Sequence, residues 1–136
     1  MTPEPPKVRT LDELYPPFRE KLLAAIEDAK AAGLDPVVIE TTRTLARQEW
    51  LYEQGRFTNP GHIVTKCDGV RHLSMHQRDL AADVAPRVNG VIDWSRRDLF
   101  DQWGAIATAN GLAWGGHFPS YDGPHVEWSG SATWKG

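Results

Sequence analysis

The chain has 136 residues, enough for one domain with a core of its own, and its 24% charged and 40% hydrophobic residues describe a folded rather than a disordered protein. A formal net charge of -3 argues against a dedicated nucleic-acid binder, which carries a basic excess. The single cysteine, Cys67, excludes an intramolecular disulfide; the opening Met-Thr-Pro-Glu-Pro-Pro lacks the basic start and apolar core of a secretory signal, and no stretch reaches the roughly 18 apolar residues of a membrane span.

Residues 1–9 are rich in proline and read as an irregular arm. A helix is predicted from about Pro17 to Ala32, with Pro17 in its first turn, an apolar stripe of Phe18, Leu22, Leu23, Ile26 and Ala29, and Gly33 as its stop. Pro36 to Thr42 is short and β-branched and reads as a strand. A second helix is predicted from Thr44 to Gln54, with Gly55 closing it and Leu45, Trp50 and Leu51 on its buried face. Residues 56–75 read as a long irregular loop. Leu80 to Ala85 reads as extended. Val88-Asn-Gly-Val91 is a tight-hairpin signal, because Asn and Gly tolerate positive φ at both central positions. A third helix is predicted from a Ser95 cap, with Asp98 three positions on, carrying Leu99, Trp103, Ile106 and Ala107 inward and closing at Gly111. Leu112 to Trp114 and His125 to Trp128 read as short strands, and residues 129–136 as a loose tail in which Trp134 is an exposed contact. The sum is a single domain over 1–136 of α+β class, a small antiparallel sheet with helices packed on one face.

Five histidines are present: His62, His72, His76, His117 and His125. Two stretches stand out, Ser74-Met-His76-Gln-Arg-Asp-Leu-Ala-Ala-Asp83 and Trp114-Gly-Gly-His-Phe-Pro-Ser-Tyr-Asp122-Gly-Pro-His125-Val-Glu127. Two imidazoles and one carboxylate make a three-ligand zinc set with a fourth position left for water. A straight strand would separate residues 76 and 83 by roughly 23 Å, and a helix by about 10 Å. A shared ion therefore demands that the chain turn back between His76 and Asp83.

Ser-x-His-x(6)-Asp followed by Asp-x-x-His resembles the zinc D-alanyl-D-alanine carboxypeptidase and L-alanyl-D-glutamate endopeptidase family, which includes phage endolysins and vancomycin-resistance dipeptidases. Thr41 to Arg56 is similar to the family's arginine segment and the helix after it, and Trp114-Gly-Gly with Asp122-Gly-Pro-His125 is similar to the closing motif of the endolysin-type branch. The resemblance spans residues 20–128 and implies a hedgehog/D-Ala-D-Ala-peptidase-like fold. Asp79 stands where the family has glycine, so positive φ is expected there.

The resemblance implies zinc held by His76, Asp83 and His125, and Asp122 as general base. Glu127 is a rival base, because two residues apart on a strand its side chain faces the same way as that of His125. Arg43 would stabilise the oxyanion or grip a substrate carboxylate. Gln48, Ser74 and His117 are candidates for substrate contact, with Gln48 alternatively a supporting residue behind the site and Ser74 alternatively a turn residue. His72 and His62 are not expected to ligate, Cys67 is expected to be a bystander, and Trp50, Trp103 and Trp114 are expected in the core rather than on a sugar platform.

The implied activity is hydrolysis of the L-alanyl-D-glutamate bond of peptidoglycan stem peptides by a phage or prophage endolysin. It would be made in the cytoplasm without a signal peptide and released to the wall through a holin-type pore, acting as a monomer with no nucleic-acid or membrane partner. Two alternatives stay open: a D-alanyl-D-alanine carboxypeptidase or dipeptidase, and a non-catalytic zinc-stabilised wall-binding module.

Overall fold

In the computed structural model residues 3–56, 61 and 63–130 are described. His62, Trp134 and most of the expected tail lie outside the described residues. The elements run α1 (Pro16–Ala31), β1 (Pro36–Glu40), α2 (Leu45–Glu53), β2 (Ala81–Val88), β3 (Val91–Ile92), α3 (Arg97–Ala109), β4 (Leu112–Trp114) and β5 (His125–Trp128). A single 3-10 turn, Gly115–His117, joins β4 to the loop before β5. Among the described residues no helix is long and apolar enough to cross a membrane.

The sheet order is β1-β2-β5-β4, with β3 paired to β2, and every pairing is antiparallel. The expected hairpin joins β2 to β3: Asn89 and Gly90 have φ of 52° and 80°, and Val88 pairs with Val91. Strand β2 runs on through Pro86 to Val88, further than the sequence suggests. Pro86 sits opposite Pro36, and the ladder resumes when Arg87 N–H donates to the Asp35 carbonyl.

Alternation along β2 and β5 divides the residues between two faces. Ala82, Val84 and Val126 turn to one side and join Phe18, Leu22, Ala25, Ile26 and Ala29 of α1, Trp103 and Ala107 of α3, and Leu112 and Trp114 of β4 in a single core. Helix α3 comes so close to this layer that a Cβ on Gly104 would collide with the Trp114 ring. Asp83, His125 and Glu127 lie on the opposite face, and the register sets Glu40, Asp83 and His125 side by side across three strands.

Several local expectations are corrected. Leu23 is exposed and Ala25 takes its place in the buried stripe of α1. Leu45 is exposed and Trp50 half-buried; α2 buries Leu51 as expected but with Arg47 and Gln48 beside it, and it gives no residue to the main core, so among the described helices α1 and α3 cover the helical face. Ser95 caps nothing: its hydroxyl and its backbone N–H both donate to Asp93 Oδ1, and α3 begins after Arg96, with Phe100 rather than Leu99 buried. Thr44 does cap α2, accepting from Arg47 N–H at 3.2 Å.

Candidate metal centre and its cleft

The chain reverses between His76 and Asp83 by a single closed turn. Leu80 N–H donates to the Met75 carbonyl at 3.0 Å and Asp79 N–H to the His76 carbonyl at 3.2 Å, with φ of 59° at Asp79. This is the bond pattern by which a helix end is closed around a left-handed residue, usually glycine. Asp79 fills that position here; its fully buried side chain accepts a 2.6 Å hydrogen bond from the Thr42 hydroxyl. The turn delivers His76 to the sheet face that carries Asp83 and His125.

Three atoms converge there. Asp83 Oδ1 lies 3.5 Å from His76 Nε2 and 3.4 Å from His125 Nδ1, and ligand atoms of all three residues fall within 4.8 Å of one another. A tetrahedral ion with bonds of about 2.0–2.1 Å requires its ligand atoms to be roughly 3.4 Å apart. Asp83 Oδ1 is buried without a hydrogen-bond partner, so it is an acceptor left for something else. The donor set and its spacing therefore fit zinc.

The outer atoms of both imidazoles are occupied. His76 Nδ1–H donates to the Thr41 carbonyl at 2.9 Å, which leaves the Nε2 lone pair directed inward. His125 Nε2–H donates to Glu127 Oε1 at 2.7 Å, which leaves Nδ1 inward. These contacts fix tautomer and ring orientation, the usual support of a metal-ligating histidine. Burial opposes ionisation of Asp83, but the His125 and His76 imidazoles beside Oδ1 outweigh it and hold the carboxyl far below its ordinary range. Burial likewise opposes charge on His125, yet Asp83 and Glu127 push its pKa up to about 9 in the metal-free chain.

The two carboxylates proposed as base occupy different sides of the His125 ring. Glu127 is on the outer nitrogen. Asp122 Oδ2 is 4.0 Å from Nδ1, the inward nitrogen, with its side chain half exposed to the cleft. Burial and the charge of Asp83 raise the Asp122 pKa. The loop that holds Asp122 explains the first of the two glycines after Trp114, and the Trp114 ring leaves no room for a Cβ on the second. Asp122 N–H donates to the Gly115 carbonyl at 3.0 Å and His125 N–H to the Asp122 carbonyl at 3.1 Å. A Cβ on Gly115 would run into both the Asp122 carbonyl and His125.

A cleft of about 540 Å³ opens over these groups, and Arg43 lines it. Its guanidinium donates to Glu40 at 2.7 Å and to Gln48 at 2.9 Å, while its backbone N–H donates to the His76 carbonyl. Gln48 is fully buried and also reaches the Cys67 carbonyl at 2.7 Å, so it holds Arg43 and the 65–67 segment from behind the cleft. Ser74 is nearly buried and exchanges hydrogen bonds with Gln77, as a turn residue does, although it also lines the cleft. His117 turns its ring onto Trp114, with centroids 5.1 Å apart, and does not line the cleft. His72 is exposed, its N–H bound to Asp68.

Sequence reasoning missed Glu40, Arg47 and the arm. Buried Glu40 accepts from Arg43 and from Arg47, and Arg47 also reaches Glu4 at 3.0 Å and the Pro5 carbonyl at 3.1 Å. Thr41 N–H donates to the Val8 carbonyl at 2.7 Å, which ties residues 4–8 to the segment that supports His76, and Lys7 lines the cleft. The available signal was an acid at the end of an apolar strand followed by arginines three and seven positions on.

The family profile described as D-alanyl-D-alanine carboxypeptidase matches residues 68–128. The chain is 34% identical over 125 residues to the peptidoglycan L-alanyl-D-glutamate endopeptidase CwlK of Bacillus subtilis, covering 85% of this chain and 73% of that protein. Among solved structures it resembles the L-Ala D-Glu endopeptidase ChiX of Serratia marcescens, with a TM-score of 0.65 and 21% identity over 88% of this chain and 83% of that one. It also resembles the vancomycin-resistance D,D-pentapeptidase VanY of a VanB-type cassette, solved with Zn(II), with a TM-score of 0.65 and 16% identity over 86% of this chain and 73% of that one. At these identities the structural likeness speaks to a shared fold.

Proposed function

This chain belongs to the D-alanyl-D-alanine carboxypeptidase and L-alanyl-D-glutamate endopeptidase family, and from that premise we propose that it is a zinc peptidase hydrolysing the L-alanyl-D-glutamate bond of peptidoglycan stem peptides. The observation that carries this reading is the convergence of His76 Nε2, Asp83 Oδ1 and His125 Nδ1, with Asp122 on the inward side of His125. The choice of bond is supported by the likeness to CwlK over most of both chains.

His76, Asp83 and His125 would hold zinc, which when bound would supply the Lewis acidity that acidifies water and polarises a carbonyl. Asp122 accepts the proton of the attacking water. As the new C–O bond forms and the C–N bond breaks, it returns that proton to the amine of the departing D-glutamate. Arg43, held in one pose by Glu40 and Gln48, faces the charge that grows on the carbonyl oxygen. Glu127 keeps His125 turned inward.

Mass spectrometry of a purified stem pentapeptide incubated with the zinc-loaded protein tests the reading. Free L-alanine and a tetrapeptide beginning with D-glutamate are expected. Release of terminal D-alanine would instead support the carboxypeptidase alternative, which the family profile's description favours. Zinc and wall binding with no cleavage of either bond would favour a binding module.

The Asp122-Gly-Pro-His125 motif also supports placing this activity in host lysis by a phage or prophage, with exit through a holin-type pore. Lysis of an expressing host only when a holin is co-expressed is the expected outcome.

A further inference from the structure

A second, smaller groove adjoins the metal cleft. It has a volume of about 420 Å³ and is lined by Trp94, Phe100, Tyr121, Asp122, Gly123 and Pro124. Trp94, Asp122 and Pro124 line the metal cleft as well, so the two spaces are continuous past the proposed base. Trp94 is 61% exposed, an unusual position for so large an apolar ring. It is nonetheless held in place. One face stacks on Phe100, with centroids 5.5 Å apart and planes 16° from parallel. The backbone beside it is fixed by Asp93, which accepts from Ser95 N–H and from the Ser95 hydroxyl. Across the groove Tyr121 is fixed too: its hydroxyl donates to Asp101 at 3.0 Å and the Arg97 guanidinium lies 3.8 Å from its ring centroid. The result is a preorganised aromatic floor and wall with a polar rim.

We propose that this groove is a sugar subsite, in which Trp94 stacks on the pyranose ring of the muramic acid that bears the stem peptide. The inference rests on the peptidase reading above and adds to it the part of the substrate that lies beyond L-alanine. A pyranose presents an apolar C–H face and a polar edge, which suits an exposed indole bordered by polar groups. Reach selects this sugar. In peptidoglycan a lactyl unit and one L-alanine separate the muramic acid ring from the L-alanyl-D-glutamate carbonyl, a span of roughly 7 Å when extended. The groove shares Trp94, Asp122 and Pro124 with the metal cleft and so adjoins the place where the carbonyl would react, as so short a span requires. The D-alanyl-D-alanine bond lies several residues further out, roughly 18 Å from the ring, and a sugar there could not occupy a groove that shares its wall with the base.

Two peptides test the subsite, N-acetylmuramyl-L-alanyl-γ-D-glutamyl-L-lysine and the same tripeptide carrying only an N-acetyl group. The zinc-loaded wild type is expected to cut the sugar-bearing peptide about tenfold more efficiently, chiefly through KM. In Trp94→Ala that ratio falls towards one, and in Trp94→Phe most of it is retained. A wild-type ratio near one, or a ratio that Trp94→Ala leaves unchanged, overturns the subsite. If neither peptide is cut, the peptidase reading fails, and binding decides the subsite alone. N-acetylmuramyl-L-alanine binding about tenfold more tightly than N-acetyl-L-alanine to wild type but not to Trp94→Ala supports it; equal binding overturns it.

Discussion

Asp122 and Glu127 are both carboxylates beside His125, yet they serve opposite nitrogens of its ring, and their substitutions should separate cleanly. Asp122→Asn is expected to keep zinc and lose about 10³-fold in kcat, the scale of general acid–base catalysis. Glu127→Ala is expected to weaken zinc binding by about 10–100-fold, the usual cost of removing a group that orients a ligand, and to recover most activity at saturating zinc. Zinc titrations followed by kcat measurements on both variants check the pair. The family resemblance named the three candidate ligands, and the chain reversal that a shared ion demands before Asp83 is present. The sequence left the two carboxylates unresolved, because both lie within three residues of His125 and only the orientation of the ring tells them apart. Asp79 was legible as a positive-φ position but not as the buried acceptor for Thr42. Asp79→Ala would lose that acceptor and put an ordinary side chain at positive φ, so a destabilisation of about 2 kcal/mol is expected in denaturant titrations.

Among the elements, α2 departs most from its sequence pattern. Leu45 was expected on the buried face and is exposed, while Arg47, which the apolar pattern passes over, is buried. The reason is Glu40 at the end of β1. A buried carboxylate needs paired cations, so α2 turns its arginine inward to meet it. Periodicity scores apolar residues and is blind to a pair of charges that satisfy each other. Burial opposes the charge on Glu40, but the hydrogen bond and charge of Arg43, with Arg47 behind it, hold its pKa below the ordinary 4.5. A carboxyl whose pKa is lower in the folded than in the unfolded chain stabilises the fold fully above the unfolded value. That contribution is lost as pH falls through the folded value. Glu40→Gln should therefore cost about 3 kcal/mol near pH 7, and the gap from wild type should narrow below pH 4.5. Urea titrations across that range read the difference.

The whole molecule uses the two faces of one sheet for two purposes. Helices α1 and α3 cover one face with apolar side chains, and the other carries Glu40, Asp83, His125 and Glu127. A one-residue slip of β5 against β2 would send His125 into the core, so the register that buries Val126 also builds the metal centre. The antiparallel class was legible from the Asn-Gly hairpin and the short strands. Which face the helices cover was not, because Leu80 to Ala85 is apolar apart from Asp83 and hides its alternation. Since the ligands come from the reversal, β2 and β5, a bound ion would tie three segments together. Zinc at a thousandfold its Kd is expected to stabilise the fold by about 4 kcal/mol, and calorimetry before and after chelation would register the loss.

The most direct test of the central claim is a zinc titration of chelator-treated protein, with cleavage of purified sacculi as the readout, for wild type, His125→Ala and Asp122→Asn. For wild type, activity should rise in proportion to zinc up to one ion per chain and release peptides with newly exposed D-glutamate amines. His125→Ala should bind zinc weakly and stay inactive, and Asp122→Asn should bind one zinc and cleave barely at all. Full cleavage by the zinc-free wild type, or by Asp122→Asn, would contradict the account.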